Sequence, residues 1–76
     1  MGKIIKLNKL SGGRNNVSVT EHYVNSDYII RFWNDNEDVK FWGRTCTVVQ
    51  IMKGNVALGI SVTDTCEEIM RMVNGE

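Results

Sequence analysis

Lys53-Gly54-Asn55-Val56 lies between two apolar segments and narrows the possible folds more than any other stretch of the chain. Glycine at the first of two loop positions is the signature of a type II′ turn, whose twist matches that of antiparallel strands. Closing the chain on Lys53 and Val56 sets Ile51 opposite Leu58, Val49 opposite Ile60 and Thr47 opposite Val62. Opposed residues share a sheet face, so an apolar face assembles with no shift of register. The segment from Thr45 to Val62 is therefore expected to be an antiparallel hairpin and the centre of stability.

The preceding residues read as further strands. Ile5 and Leu7 alternate with Lys6 and Asn8, the period of a half-buried strand. Ser11-Gly-Gly-Arg-Asn-Asn16 interrupts it with residues that tolerate positive φ. A short strand follows, with Val17 and Val19 expected inward and Ser18 outward, and Asn25-Ser-Asp27 marks the next turn. Tyr28 to Trp33 and Val39 to Arg44 then read as a second hairpin around a loop at Asp35-Asn-Glu-Asp38. Phe32 would oppose Phe41, and Arg31 would oppose Trp42. One face would hold Ile30, Phe32, Val39 and Phe41, the other Arg31, Trp33, Lys40, Trp42 and Arg44. A slip of one residue would mix the two sets.

Thr63-Asp64-Thr65 ends the last strand and starts a helix over about residues 65–73. Asp64 with Glu67, or Thr65 with Glu68, satisfies the capping-box pattern. Cys66, Ile69, Met70 and Val73 recur at helical spacing, and Asn74-Gly75 is a stop signal. So short a helix is marginal alone in water and must dock on the sheet. The expected fold is α+β and mainly β: a compact antiparallel sheet or partly rolled barrel of five to six strands, with one C-terminal helix. Residues 1–76 are expected to form a single small β-rich domain.

Composition limits the function classes. Nine basic and nine acidic residues cancel, so bulk attraction to nucleic acid or an anionic membrane is not expected. No apolar run approaches the ~20 residues of a membrane helix, and the opening Met1-Gly-Lys-Ile-Ile-Lys is too interrupted for a secretory signal. A cytoplasmic location is the expectation. Cys46, Cys66 and the single His22 lack the close spacing of a zinc site and read as packing residues. Gly12-Gly13 has no following Lys-Ser/Thr and so is no phosphate loop. Catalytic, cofactor and metal sites are not expected, nor is a small-molecule substrate.

Ile5-Lys-Leu-Asn-Lys-Leu-Ser-Gly12 follows a pattern I-K-L-x-x-L-x-G, and Val17-Ser-Val19 is a short apolar strand after it. Thr47-Val-Val-Gln-Ile-Met-Lys-Gly54 and Val62-Thr-Asp-Thr-Cys-Glu-Glu-Ile69 supply a threonine-led hairpin and a helix. In these segments, at both ends of the chain, the sequence resembles the FlbD (SwrD) family of small flagellar proteins of swarming bacteria, with the segment from Tyr28 to Arg44 as an added central aromatic hairpin. The resemblance implies no enzyme activity, no cofactor and no catalytic residues.

All six aromatic residues fall between Tyr23 and Trp42. Trp and Arg are enriched among the residues that dominate protein interfaces, so Arg31, Trp33, Lys40, Trp42 and Arg44 are the expected partner-binding set. The expected function is a small non-enzymatic protein-interaction module, associated with phage or motility and acting through a protein partner or as a homo-oligomer. The alternative is an RNA- or single-stranded-DNA-binding protein that stacks bases on the same Trp/Arg/Lys face. Asp35, Glu37 and Asp38 beside that face would repel phosphate.

Overall fold

The alternation around Ile5 and Leu7 carries the chain straight into strand. In the computed structural model, which describes residues 2–13 and 15–75, β1 (Ile4–Gly13) and β2 (Asn16–Asn25) form a ten-residue antiparallel ribbon, with Ile5 opposite Val24 and Leu7 opposite His22. A 3₁₀ turn (Ser26–Tyr28), capped by the Asn25 side chain, leads into β3 (Ile29–Asn34). Helix α1 (Asn36–Trp42) follows, then β4 (Thr47–Lys53), β5 (Val56–Val62) and helix α2 (Cys66–Asn74).

The five strands make one antiparallel sheet in the order β2-β1-β5-β4-β3. Its two edges, β2 and β3, are consecutive in the chain and joined by only the three residues of the 3₁₀ turn. In a flat sheet, edges separated by four strand spacings of about 4.8 Å lie about 19 Å apart. The four steps from Asn25 to Ile29 reach at most about 14 Å. The sheet must therefore curl, and it forms a rolled sheet with an open seam between β2 and β3.

The β4–β5 hairpin has the register expected from its turn: Thr47 opposite Val62, Val49 opposite Ile60, Ile51 opposite Leu58. Gly54 has φ of 63° while no described non-glycine residue has positive φ, as a type II′ turn requires. Ile5, Leu7, Val24, Val49, Val62 and Ile69 are buried together, with Ile29, Phe32, Ile51, Ile60 and Met72 packed around them. Apolar faces of the ribbon, the three-strand sheet and α2 thus meet in one core.

The ribbon is tied to β5 by a single ladder pair, Lys9 with Val62. Beside it the Thr63 N–H donates to the Asn8 carbonyl at 2.9 Å, and Asp64, almost wholly buried, accepts from the Asn8 backbone at 2.7 Å. Because Asp64 is engaged there, the capping box of α2 forms on Thr65 and Glu68, the second of the two expected possibilities. Gly75 closes α2 in the left-handed conformation and lies against the Lys3 ammonium.

The central segment departs from the expected hairpin. Residues 36–42 are helical, and Phe32 pairs with Val49 of β4 rather than with Phe41. The reason lies at the helix ends. Asp35 Oδ1 accepts the Glu37 N–H at 2.9 Å, the Asp35 carbonyl accepts from Val39, and Gly43, with φ of 71°, donates to the Val39 carbonyl. An acidic start and a left-handed glycine stop outweigh the strand propensity of Val39, Phe41 and Trp42. Beyond this, a register shift between Ile29 and Arg31 leaves Ile30 half exposed. Val19, expected inward, is 49% exposed.

Candidate interaction site

With no second hairpin, the five residues expected to share one face are divided. Arg31 and Trp33 remain together on β3, away from the core: the guanidinium carbon lies 4.8 Å from the Trp33 ring centre and Arg31 Nε donates to Gln50 Oε1 at 3.0 Å. The Trp33 indole N–H reaches Asp35 Oδ2 at 3.3 Å. Lys40 and Trp42 ride on α1, and Arg44 follows it. Trp42 meets Phe41 edge to face at 4.9 Å. The expected oppositions of Arg31 with Trp42 and of Trp33 with Lys40 are absent, and both tryptophans are half-buried.

Four exposed apolar or aromatic side chains, Ile4, Tyr23, Tyr28 and Met52, gather at the seam instead. A groove of about 460 Å³ runs past the end of β2 and is lined by Ile4, His22, Tyr23, Val24, Asn25, Tyr28, Ile51, Met52 and Lys53. Tyr23, Tyr28 and Ile4 are each about three-fifths exposed, and Met52 is 42% exposed. These side chains gather here because the 3₁₀ turn folds the end of the ribbon over the end of β4, where the rolled sheet fails to close.

The backbone of β2 is open along the same flank. β2 is the sheet edge, paired only with β1. Which of its groups face outward follows from Asn8, whose N–H and C=O point away from β2 toward Asp64 and Thr63. In an antiparallel pair both members of such a position turn their backbone groups away from each other. Glu21, opposite Asn8, therefore directs its N–H and C=O outward, and so do Val17, Val19 and Tyr23 at the two-residue period. The strand carries one charge, Glu21, and no Lys, Arg or Pro, the residues that ordinarily blunt a free edge.

Glu21 also acts on its neighbour. Its Oε2 accepts the Tyr23 hydroxyl at 2.7 Å, and this hydrogen bond, with the carboxylate charge behind it, raises the phenol above its ordinary value of 10.0. Tyr23 is thus a neutral, oriented aromatic at the mouth of the groove.

Cys46 is buried and Cys66 half-buried, neither in a disulfide, and the Cys66 thiol sits 3.8 Å from Asn34 Oδ1. Among the described residues no three His, Cys, Asp or Glu side chains gather as a metal site would need, and no helix is long and apolar enough to cross a membrane. Sequence reasoning missed Glu21, His22 and Tyr23. Their signal was the run Val17-Ser-Val-Thr-Glu-His-Tyr-Val24, which has no breaker and so extends the strand to Asn25. No protein-family model, curated protein or solved structure matches the chain.

Proposed function

We propose that this chain is a small non-enzymatic interaction module that binds another polypeptide, a partner protein or a copy of itself, within a phage or motility assembly. The observation that carries this reading is the unpaired edge of β2 beside an apolar groove. An edge strand supplies main-chain affinity to an incoming strand, and neighbouring side-chain pockets supply selectivity. The resemblance of the chain's ends to small flagellar proteins, for which no catalysis is implied, supports the same reading and its setting.

Binding of single-stranded nucleic acid is the competing reading, favoured by the Arg31 guanidinium over Trp33. It is weaker because Lys40, Trp42 and Arg44 lie on another element, and because Asp35 holds the Trp33 indole. Two measurements separate the readings. A labelled oligonucleotide titrated at low salt is expected not to bind, and residues 17–24 are expected to show concentration- or partner-dependent protection of their outward amides. Tight oligonucleotide binding that falls steeply with salt would replace the polypeptide reading.

A further inference from the structure

We infer that the polypeptide received by the β2 edge is a second copy of this chain, with β2 pairing antiparallel to its own counterpart about a two-fold axis through Thr20. The inference rests on the interaction-module reading and adds to it the partner and the register.

The strand is complementary to itself in one register. A closed dimer needs the same patch on both copies, and the outward backbone groups belong to Val17, Val19, Glu21 and Tyr23. Centring the pair on Thr20 sets Val17 against Tyr23 and Val19 against Glu21, so each of these residues gives and receives a main-chain hydrogen bond. This alignment covers the strand from Asn16 to Val24. Centring it one residue later places Glu21 directly against Glu21, and like charges in direct opposition are unfavourable. Centring it one residue earlier leaves Tyr23 and Val24 beyond the end of the partner strand.

Side chains agree with the backbone. Val19 and Tyr23, 49% and 60% exposed on one face of the strand, would be covered by the second copy. Two threonines meet at the axis, a favourable cross-strand pair. Asn16 and Val17 of the second copy would run beside Tyr23 and Val24, where the groove of about 460 Å³ lies. The groove is then the berth of the other copy's hairpin tip rather than a pocket for a small ligand. Glu21, the only charge on β2, faces a valine and keeps its hydrogen bond to Tyr23.

The test uses Thr20, which is exposed, so that its substitution spares the core. The wild-type chain is expected to sediment at twice its 8.6 kDa mass as concentration rises. Thr20→Lys and Thr20→Glu, each alone, should stay at the mass of one chain, while an equimolar mixture of the two should pair. As a check independent of affinity, Thr20→Cys in a Cys66→Ser background should cross-link to itself on mild oxidation. Residues facing each other at a non-hydrogen-bonded position lie about 4.5 Å apart at Cα, within disulfide range. A wild-type chain that stays single to millimolar concentration and fails to cross-link through Thr20→Cys overturns the self-pairing and leaves the heterologous-partner reading standing. Dimers that persist in both charged variants overturn this edge as the contact while keeping the chain an interaction module.

Discussion

Asp64 holds Asn8 by two bonds: Oδ2 accepts the Asn8 backbone N–H at 2.7 Å and Oδ1 accepts its side-chain amide at 3.2 Å. The carboxylate thereby extends the contact between β1 and β5, which the strands themselves make through a single ladder pair, Lys9 and Val62. Removing the acceptor leaves a main-chain donor in a part-buried place, at a cost of about 1–3 kcal/mol. Asp64→Ala should lose that amount in urea denaturation, and Asp64→Asn, which keeps one acceptor, should lose less. An unchanged midpoint in Asp64→Ala would mean that the β1–β5 contact does not depend on this carboxylate.

Helix α2 is expected to depend on one side chain for its docking. Ile69 is fully buried in the core, whereas its neighbour Met70 is 52% exposed. Ile69→Ala should cost about 2–5 kcal/mol by loss of burial and the cavity it leaves. Met70→Ala should stay within about 0.5 kcal/mol of wild type. Equal losses in thermal melts would show that the helix presents a different face.

The two hairpin glycines should fail for different reasons. At Gly54 an added Cβ meets nothing within 4 Å, so only the positive φ of 63° opposes a side chain. Gly54→Val should therefore destabilise by about 1–3 kcal/mol, the cost of holding an L-residue in a sparsely populated positive-φ conformation. Gly12 has φ of 92°, and a Cβ there would also run into the Asn16 carbonyl. Gly12→Ala is expected to be the more damaging of the two, with a larger fall in melting temperature.

Acid should loosen α2 from its first turn. The Thr65 backbone and hydroxyl bonds hold the Glu68 carboxyl below its ordinary value of 4.5. A depressed carboxylate contributes stability that is present above the unfolded value and is lost as pH falls through the folded one. Wild type should thus lose stability progressively below about pH 4.5. Glu68→Gln preserves the capping pattern and should flatten that part of the profile. If the two proteins show the same acid profile in circular dichroism, other carboxylates govern the acid limb.

Local chemistry made some elements legible and left others hidden. Gly54 fixed the register of β4 and β5, and Thr65 with Glu68 marked the start of α2, because each signal involves residues close in sequence. The segment from Asp35 to Gly43 satisfied two patterns at once: aromatic residues suited to a strand, and a capping aspartate with a terminal glycine suited to a helix. Its caps decided for the helix, and β4, which pairs with β3, takes the place that Phe41 and Trp42 would have filled. The seam was less legible still. Whether Tyr23 lies on an edge depends on the order of all five strands, which no window of the sequence contains.

The Lys3 ammonium reaches Gly75 at the end of α2, and the Gly2 N–H is anchored to Asp27 Oδ2 at 2.7 Å. The residues before β1 therefore bridge the 3₁₀ turn and the C-terminal end of α2, coupling two elements that no strand ladder connects.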